Sequence, residues 1–284
     1  MILSFHPCYV ADTNMLCAGR DPDQQDIDAI RAADAVILPQ GCRESLYRLC
    51  RKHCNHVFPN YDARFQYPGK TGQARLFRDI NAPHPQTWIF PEMSFYSQAD
   101  RIPETAFPLV LKLDWGGEGE TVLLVETPTD LEDALETVSA YERSGQPGFV
   151  LQRYIPSVTR TLRVVVMGDH LTAYWRVQED TGAFGTSVSH GARIDADSDP
   201  DLQKMARNLT REFCGKTKIN LAGFDFIPEQ TSDGIRLLFL EINYFFGRTG
   251  LGGSIAFYDQ LQTVIQTWLK DLGLTQKNAA GEMP

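Results

Sequence analysis

Short apolar runs alternate with amphipathic stretches along the first sixty residues. Ile2 to Phe5, Ala35 to Leu38 and His56 to Phe58 read as three strands, the middle one a continuous apolar run closed by Pro39, as expected of a buried strand. Between them, Asp21-Pro22 places a capping residue before a proline at the first helical position and opens a helix through Ile27 and Ile30. Glu44 to His53 reads as a second helix with Leu46, Leu49 and Cys50 inward. The alternation predicts a small α/β unit. Tyr61 to Gly72 is polar, carries Pro68 and two glycines, and reads as a linker.

Beyond it, a helix from Gln73 to about Ile80 is stopped by Pro83 and Pro85, and Thr87 to Phe90 starts a new strand. Phe107 to Lys112 and Thr121 to Val125 are strands flanking the loop Asp114 to Glu120. Thr129 to Glu132 has the form of a capping box, with Leu131, Leu135 and Val138 as the apolar stripe of the helix it opens and Gly145 as its end. Phe149 to Gln152, Leu162 to Met167 and Thr172 to Val177 are β-rich, with Gly168-Asp169 as a hairpin turn. Pro200 to Phe213 is helical with Leu202, Met205, Leu209 and Phe213 on one side. Ala222 to Ile227 and Ile235 to Ile242 are strands around a turn at Thr231 to Gly234, a last helix runs from about Ile255 to Leu272, and Thr275 to Pro284 reads as a frayed tail.

Charge narrows the partners. The chain has 284 residues with 27 Lys and Arg against 36 Asp and Glu, a formal charge of −9, which argues against a nucleic-acid or anionic-membrane binder but leaves room for a local anion site. No apolar run approaches the roughly 20 residues of a membrane span, and the start lacks the marks of a signal peptide, so a cytoplasmic protein with six thiols is expected. Cys50, His53, Cys54 and His56 invite a zinc reading but lack a second Cys/His pair at zinc-finger spacing, and with Cys50 on the inward face of the Glu44 to His53 helix the cysteines read as buried structural residues.

Several motifs fail. Gly69-Lys70-Thr71 resembles the end of a phosphate-binding loop, but Arg64 stands where its first glycine belongs. Gly117-x-Gly119 joins strand to strand and is followed by Val122 in place of the third glycine of a dinucleotide fingerprint. The sharper signal is Leu237 to Asn243, an apolar strand ending with Glu241 and Asn243 two apart and therefore on one face. Asp225 lies within the neighbouring apolar strand, and counting back through an Asp233-Gly234 turn places it opposite Glu241 or Ile242. Three oxygen ligands side by side suit magnesium, because an isolated buried acid costs several kcal/mol. Lys112 ends another apolar strand directly before the glycine loop, and a lysine, a glycine loop and metal carboxylates together describe a nucleoside triphosphate site.

Lys112 with Gly116-Gly117-x-Gly119, then Gln152-Arg153-Tyr154-Ile155, Arg163, Ala222-Gly223-Phe224-Asp225 and Glu241-x-Asn243 follow the order seen in ATP-grasp ligases. The chain resembles most the ribosomal-protein glutamate ligase and glutathione synthetase branch. The resemblance implies an α/β protein with α+β lobes: a pre-ATP-grasp domain over 1–68, a small lobe with the glycine lid over 69–155, a large lobe with the metal site over 156–273, and a tail over 274–284. It implies ATP with magnesium, or manganese in its place. Lys70 and Lys112 would hold phosphates, and Gly116, Gly117 and Gly119 would form the lid. Gln152, Arg153, Tyr154 and Ile155 would form the adenine hinge, and Asp225, Glu241 and Asn243 would hold the metal. Arg163, Arg176, Arg193 and Arg248 would face phosphates or an acceptor carboxylate. The implied reaction is activation of a carboxylate as an acylphosphate and its transfer to an amine of an amino-acid or peptide-like acceptor, releasing ADP and phosphate. A regulatory ATP-binding module and a kinase acting on a hydroxyl are the alternatives. A small-molecule or peptide substrate is the expected partner, with no nucleic acid or membrane and with homo-oligomer formation left open. Two departures from the pattern stand out: Arg153 replaces the usual acid of the hinge, and Tyr244-Phe245-Phe246 follows the metal strand.

Overall fold

The computed structural model describes residues 1–98, 102–116, 121–156, 160–179 and 191–276. Gly117 and Gly119, singled out in the sequence, lie outside them.

The chain begins with β1 (Ile2–Ser4), β2 (Thr13–Asn14), α1 (Gln24–Ala32), β3 (Ala35–Ile37), α2 (Glu44–His53) and β4 (Val57–Phe58), with the strands in a parallel sheet of order β2-β1-β3-β4. Two residues of polar strand leave no apolar run, so β2 has no signature in the sequence. The cap of α1 is Asp23, two residues later than the pattern suggests: its carboxylate accepts from the N–H groups of Gln25 and Asp26, and the Asp26 side chain reaches back to the Asp23 N–H. Cys50 and Cys54 are buried, and burial pushes both thiols up, as for core residues.

Tyr61 to Gly72 is not an open linker. It carries α3 (Asp62–Gln66) and the start of α4 (Gly69–Asp79), with Pro68 at the N-cap of α4. A second, antiparallel sheet follows, built from β5 (Thr87–Phe90), α5 (Met93–Gln98), β6 (Leu109–Leu113), β7 (Val122–Val125), α6 (Pro128–Arg143) and β8 (Phe149–Arg153), in strand order β5-β8-β6-β7. Thr127 and Asp130 form the capping box of α6, again two residues from the sequence reading, because Pro128 occupies the first turn without needing an N–H partner.

The third sheet has order β11-β10-β9-β12-β13, from β9 (Arg160–Met167), β10 (His170–Val177), β11 (Arg193–Asp195), α7 (Pro200–Thr217), β12 (Leu221–Thr231), β13 (Gly234–Asn243) and then α8 (Gly253–Asp271). On one face Val164, Trp175, Phe224 and Phe239 pack with Phe213 of α7 and Phe77 of α4. The buried row of α7 is Gln203, Ala206, Thr210 and Phe213, while Met205 is exposed, so the stripe lies one position off the predicted side. On the other face Val165, Met167, Tyr174 and Leu221 share a core with Phe257, Leu261 and Ile265 of α8. The tail is tied at its start, since Gln276 Nε2 donates to the Tyr9 hydroxyl (3.0 Å) and the Val10 carbonyl (3.1 Å).

Candidate functional site

Beyond the apolar end of that second face the sheet turns polar. Asp225 on β12 stands opposite Arg163 on β9 and opposite Glu241 on β13. The pairing with Glu241 depends on a β-bulge: Phe226 pairs with Phe239, the next pair is Asp225 with Glu241, and Leu240 is the extra residue. Phe239 and Ile242 therefore both enter the core, while Leu240 and Glu241 both line the opposite side.

Asp225 is 3% exposed, and both its oxygens are engaged. Oδ1 accepts from Arg163 Nε (2.7 Å). Oδ2 accepts from a second nitrogen of Arg163 (2.8 Å), from Arg176 (2.9 Å) and from Asn243 Nδ2 (3.0 Å). Burial works against its charge, but the two guanidiniums outweigh that and hold the carboxyl below the usual range. Two arginines on one carboxylate leave a net positive charge, and Arg176 Nε is buried without a partner among the described residues.

A narrow cleft opens beside this cluster, lined among others by Lys70, Thr87, Lys112, Gln152, Leu240 and Glu241. Lys112 Nζ donates to Gln152 Oε1 (2.7 Å), and Gln152 in turn donates to Thr87 Oγ1 (3.0 Å). Burial brings the Lys112 ammonium down to about 8, with Glu241 opposing and Lys70 adding to the shift. Lys70 Nζ donates to the carbonyls of Trp115 (3.1 Å) and Gly116 (3.2 Å) at the glycine loop, and burial lowers it too, against the pull of Glu241 and Asp114. Among the described residues neither lysine has a carboxylate within salt-bridge distance, and the Glu241 carboxylate makes no hydrogen bond or ion pair. No group of three or more His, Cys, Asp or Glu is gathered for a metal among the described residues.

The remaining predicted residues are more scattered. Arg153 pairs with Glu229 of β12, which also holds Arg236, so the basic residue at the hinge has an acid from the other sheet as its partner. The Tyr154 N–H donates to the Pro108 carbonyl (3.2 Å), and Ile155 is buried with Ile227 and Leu238. Arg193 is exposed and pairs with Glu179. Arg248 lies over the rings of Phe257 and Tyr258 and reaches Ser254 Oγ (3.4 Å), apart from the Asp225 cluster. Asp114 carries no sequence signal beyond its place at the start of the glycine loop. Its Oδ1 accepts from the Thr71 N–H (2.6 Å), so the Gly69-Lys70-Thr71 stretch begins a helix capped from the glycine loop. Gln73, which also lines the cleft, is distinguished by no local pattern.

Two antiparallel sheets flanking a lysine-lined cleft, with acids on the larger one and a glycine loop on the smaller, define an ATP-grasp fold. The model of the RimK-like ATP-grasp domain matches residues 84–256, more than half of the chain, and the chain belongs to that family. No curated protein matches it in sequence. Among solved structures, a RimK domain ATP-grasp protein from Sphaerobacter thermophilus superposes with a TM-score of 0.61 at 17% identity, covering 93% of this chain and 98% of that one. D-alanine–D-alanine ligase from Bacillus anthracis gives 0.56 at 14% identity, covering 91% and 84%. The ADP complex of N5-carboxyaminoimidazole ribonucleotide synthetase gives 0.55 at 13%, covering 85% of this chain, which spans 62% of that enzyme's length. No helix among the described residues is long and apolar enough to cross a membrane.

Proposed function

We propose that the protein is an ATP- and magnesium-dependent ligase that activates a carboxylate as an acylphosphate and passes it to an amine, releasing ADP and phosphate. One observation carries the reading: Lys70 and Lys112, without acidic partners among the described residues, share a cleft with Glu241, an acid that is equally unpaired. A charge set held apart in this way suits a triphosphate with its metal, which would complete both halves. Lys70, Lys112 and the Gly116 loop would hold phosphate oxygens, and Gln152 to Ile155 would take the adenine. Glu241 and Asn243 would hold magnesium, with Asp225 joining where its arginines release an oxygen. Bound magnesium would supply neutralisation of the phosphate charge. Arg163 and Arg176 carry the surplus positive charge of their cluster, and Arg176 Nε has a free donor for an anionic oxygen of phosphate or acceptor. The D-alanine–D-alanine ligase named above is an enzyme that joins two amino acids, which supports an amino-acid or peptide-like acceptor here.

Two measurements test this. Mg-ATP should raise the melting temperature of the wild type and leave Glu241→Gln unmoved; an equal rise in both removes the metal assignment. A screen of amino acids, small peptides and polyamines for acceptor-dependent ADP release, with mass spectrometry of the product, should return an amide. Release of AMP would exclude the acylphosphate route.

A further inference from the structure

Gln73 is a side chain whose geometry the site described so far does not use. Its Oε1 accepts from the Ile242 N–H (2.8 Å) and its Nε2 donates to the Ile242 carbonyl (2.8 Å), across 169 positions of sequence. The primary amide thus pairs with one residue of β13 as a neighbouring strand would. β13 ends the sheet, so its outer N–H and C=O groups have no strand to meet. The same edge is held a few residues earlier, where the Phe239 N–H donates to the Pro83 carbonyl (2.7 Å). The bulge residues Leu240 and Glu241 lie between these two clamps, and Ile242 itself lies between Glu241 and Asn243.

Gln73 and Lys70 are three residues apart on α4 and so lie on neighbouring positions of one helix face. From that face Lys70 reaches the carbonyls of the glycine loop, and the first turn of the helix is capped by Asp114 at the base of the same loop. The first half of the helix thus touches both the loop and the strand that bears Glu241.

We infer that Gln73 is a positioning residue for the metal site: by fixing the Ile242 peptide it sets the directions of Glu241 and Asn243, and through α4 it ties them to the loop that holds Lys70. This rests on the nucleotide reading above. Partners that orient metal ligands without touching the metal are worth about 10–100-fold in metal affinity. Gln73→Met keeps the length of the side chain and removes both bonds.

The test reads Mn²⁺ binding by electron paramagnetic resonance in the presence of AMPPNP, a non-hydrolysable ATP analogue. Gln73→Met should weaken Mn²⁺ about 10–100-fold while changing AMPPNP affinity in EDTA by less than about threefold. A purely structural role would lower the melting temperature and leave Mn²⁺ affinity within about threefold of wild type, which overturns the inference. Amide exchange at Ile242 of the wild type adds a readout that needs no variant: the N–H should be protected and should become more so with Mn²⁺ and AMPPNP. Exchange at the rate of an open edge amide would also overturn it. A wild type that binds AMPPNP without any metal dependence fails at the functional reading itself, and is told apart because no variant enters that measurement.

Discussion

Burial holds Lys112 close to losing its proton, and this gives the site a pH dependence with a definite sign. The folded value near 8 lies below the 10.5 of an exposed lysine, so between the two the unfolded chain binds more protons and this group's contribution to stability rises with pH. Phosphate binding runs the other way, because it needs the ammonium form. Nucleotide affinity should therefore fall as pH rises through about 8, approaching tenfold per unit, and calorimetric titrations should detect proton uptake on binding. Lys112→Arg keeps its charge throughout and should remove the fall; a decline of equal slope in the variant would place the titration elsewhere. The sequence made Lys112, Asp225 and Glu241 visible because each interrupts an apolar strand. It did not disclose that Arg163 and Arg176 grip Asp225 itself, since that depends on β9 and β10 lying beside β12, a register that no local pattern carries.

At the scale of elements, the hairpin that sets the acid pair is instructive. A turn centred on Asp233-Gly234 would pair Asp225 with Ile242, whereas the strands meet at Thr231 and Gly234 around Ser232-Asp233, which without a bulge would pair Asp225 with Leu240. The bulge moves the register to Glu241, so the expected partner is reached by a different route. Its cause is the packing of Phe239 and Ile242 into one core, which spacing alone does not reveal. The segment that reads as a linker is helical for a related reason: its glycines mark close contacts instead of slack. A Cβ at Gly72 would come within 2.3 Å of the Tyr67 carbonyl carbon. Gly69 has φ +68°, and a Cβ there would meet Asp114 Oδ2 at 2.3 Å. Gly69→Ala should thus lose about 1–2 kcal/mol from the left-handed backbone. Displacing the Asp114 cap of α4 should cost about 1 kcal/mol more. Gly41→Ala, with open space around it and no positive φ, is the matching control. Urea denaturation of the two variants should separate them by about 2–3 kcal/mol, and equal midpoints would mean that α4 does not depend on the Asp114 contact.

Taken as a whole, the molecule is acidic at −9 yet sets Lys70, Lys112, Arg163 and Arg176 about one cleft and its edge, so net charge describes the surface and not the site. Its apolar interior is similarly divided. The β5 to β8 sheet and α6 have a core of their own, whereas the first parallel sheet has one only on the face where Leu3, Val36 and Val57 meet Ile30 of α1 and Leu46 and Cys50 of α2. Ile2, Ala35, Ile37 and Phe58 belong to the same cluster as Val165 and Met167 of β9 and as Phe257, Leu261 and Ile265 of α8, with Phe58 and Trp268 rings 5.6 Å apart. α8 is the shared wall. The composition of the first sixty residues suggests an α/β unit but cannot reveal this, because its strands bury both faces and the second face looks the same whatever covers it. Ile265 is fully buried in that wall, and truncation to Ala should cost about 2–5 kcal/mol. Since the cluster is common property, the loss should appear equally in the amide exchange of β3 and of β9 under conditions where exchange reports unfolding. Leu131→Ala, in the separate core beneath α6, should lower the protection of β6 and β8 more than that of β3. If Ile265→Ala opened β9 while β3 kept its wild-type protection, the first sheet would have a stability of its own and the common core would be refuted.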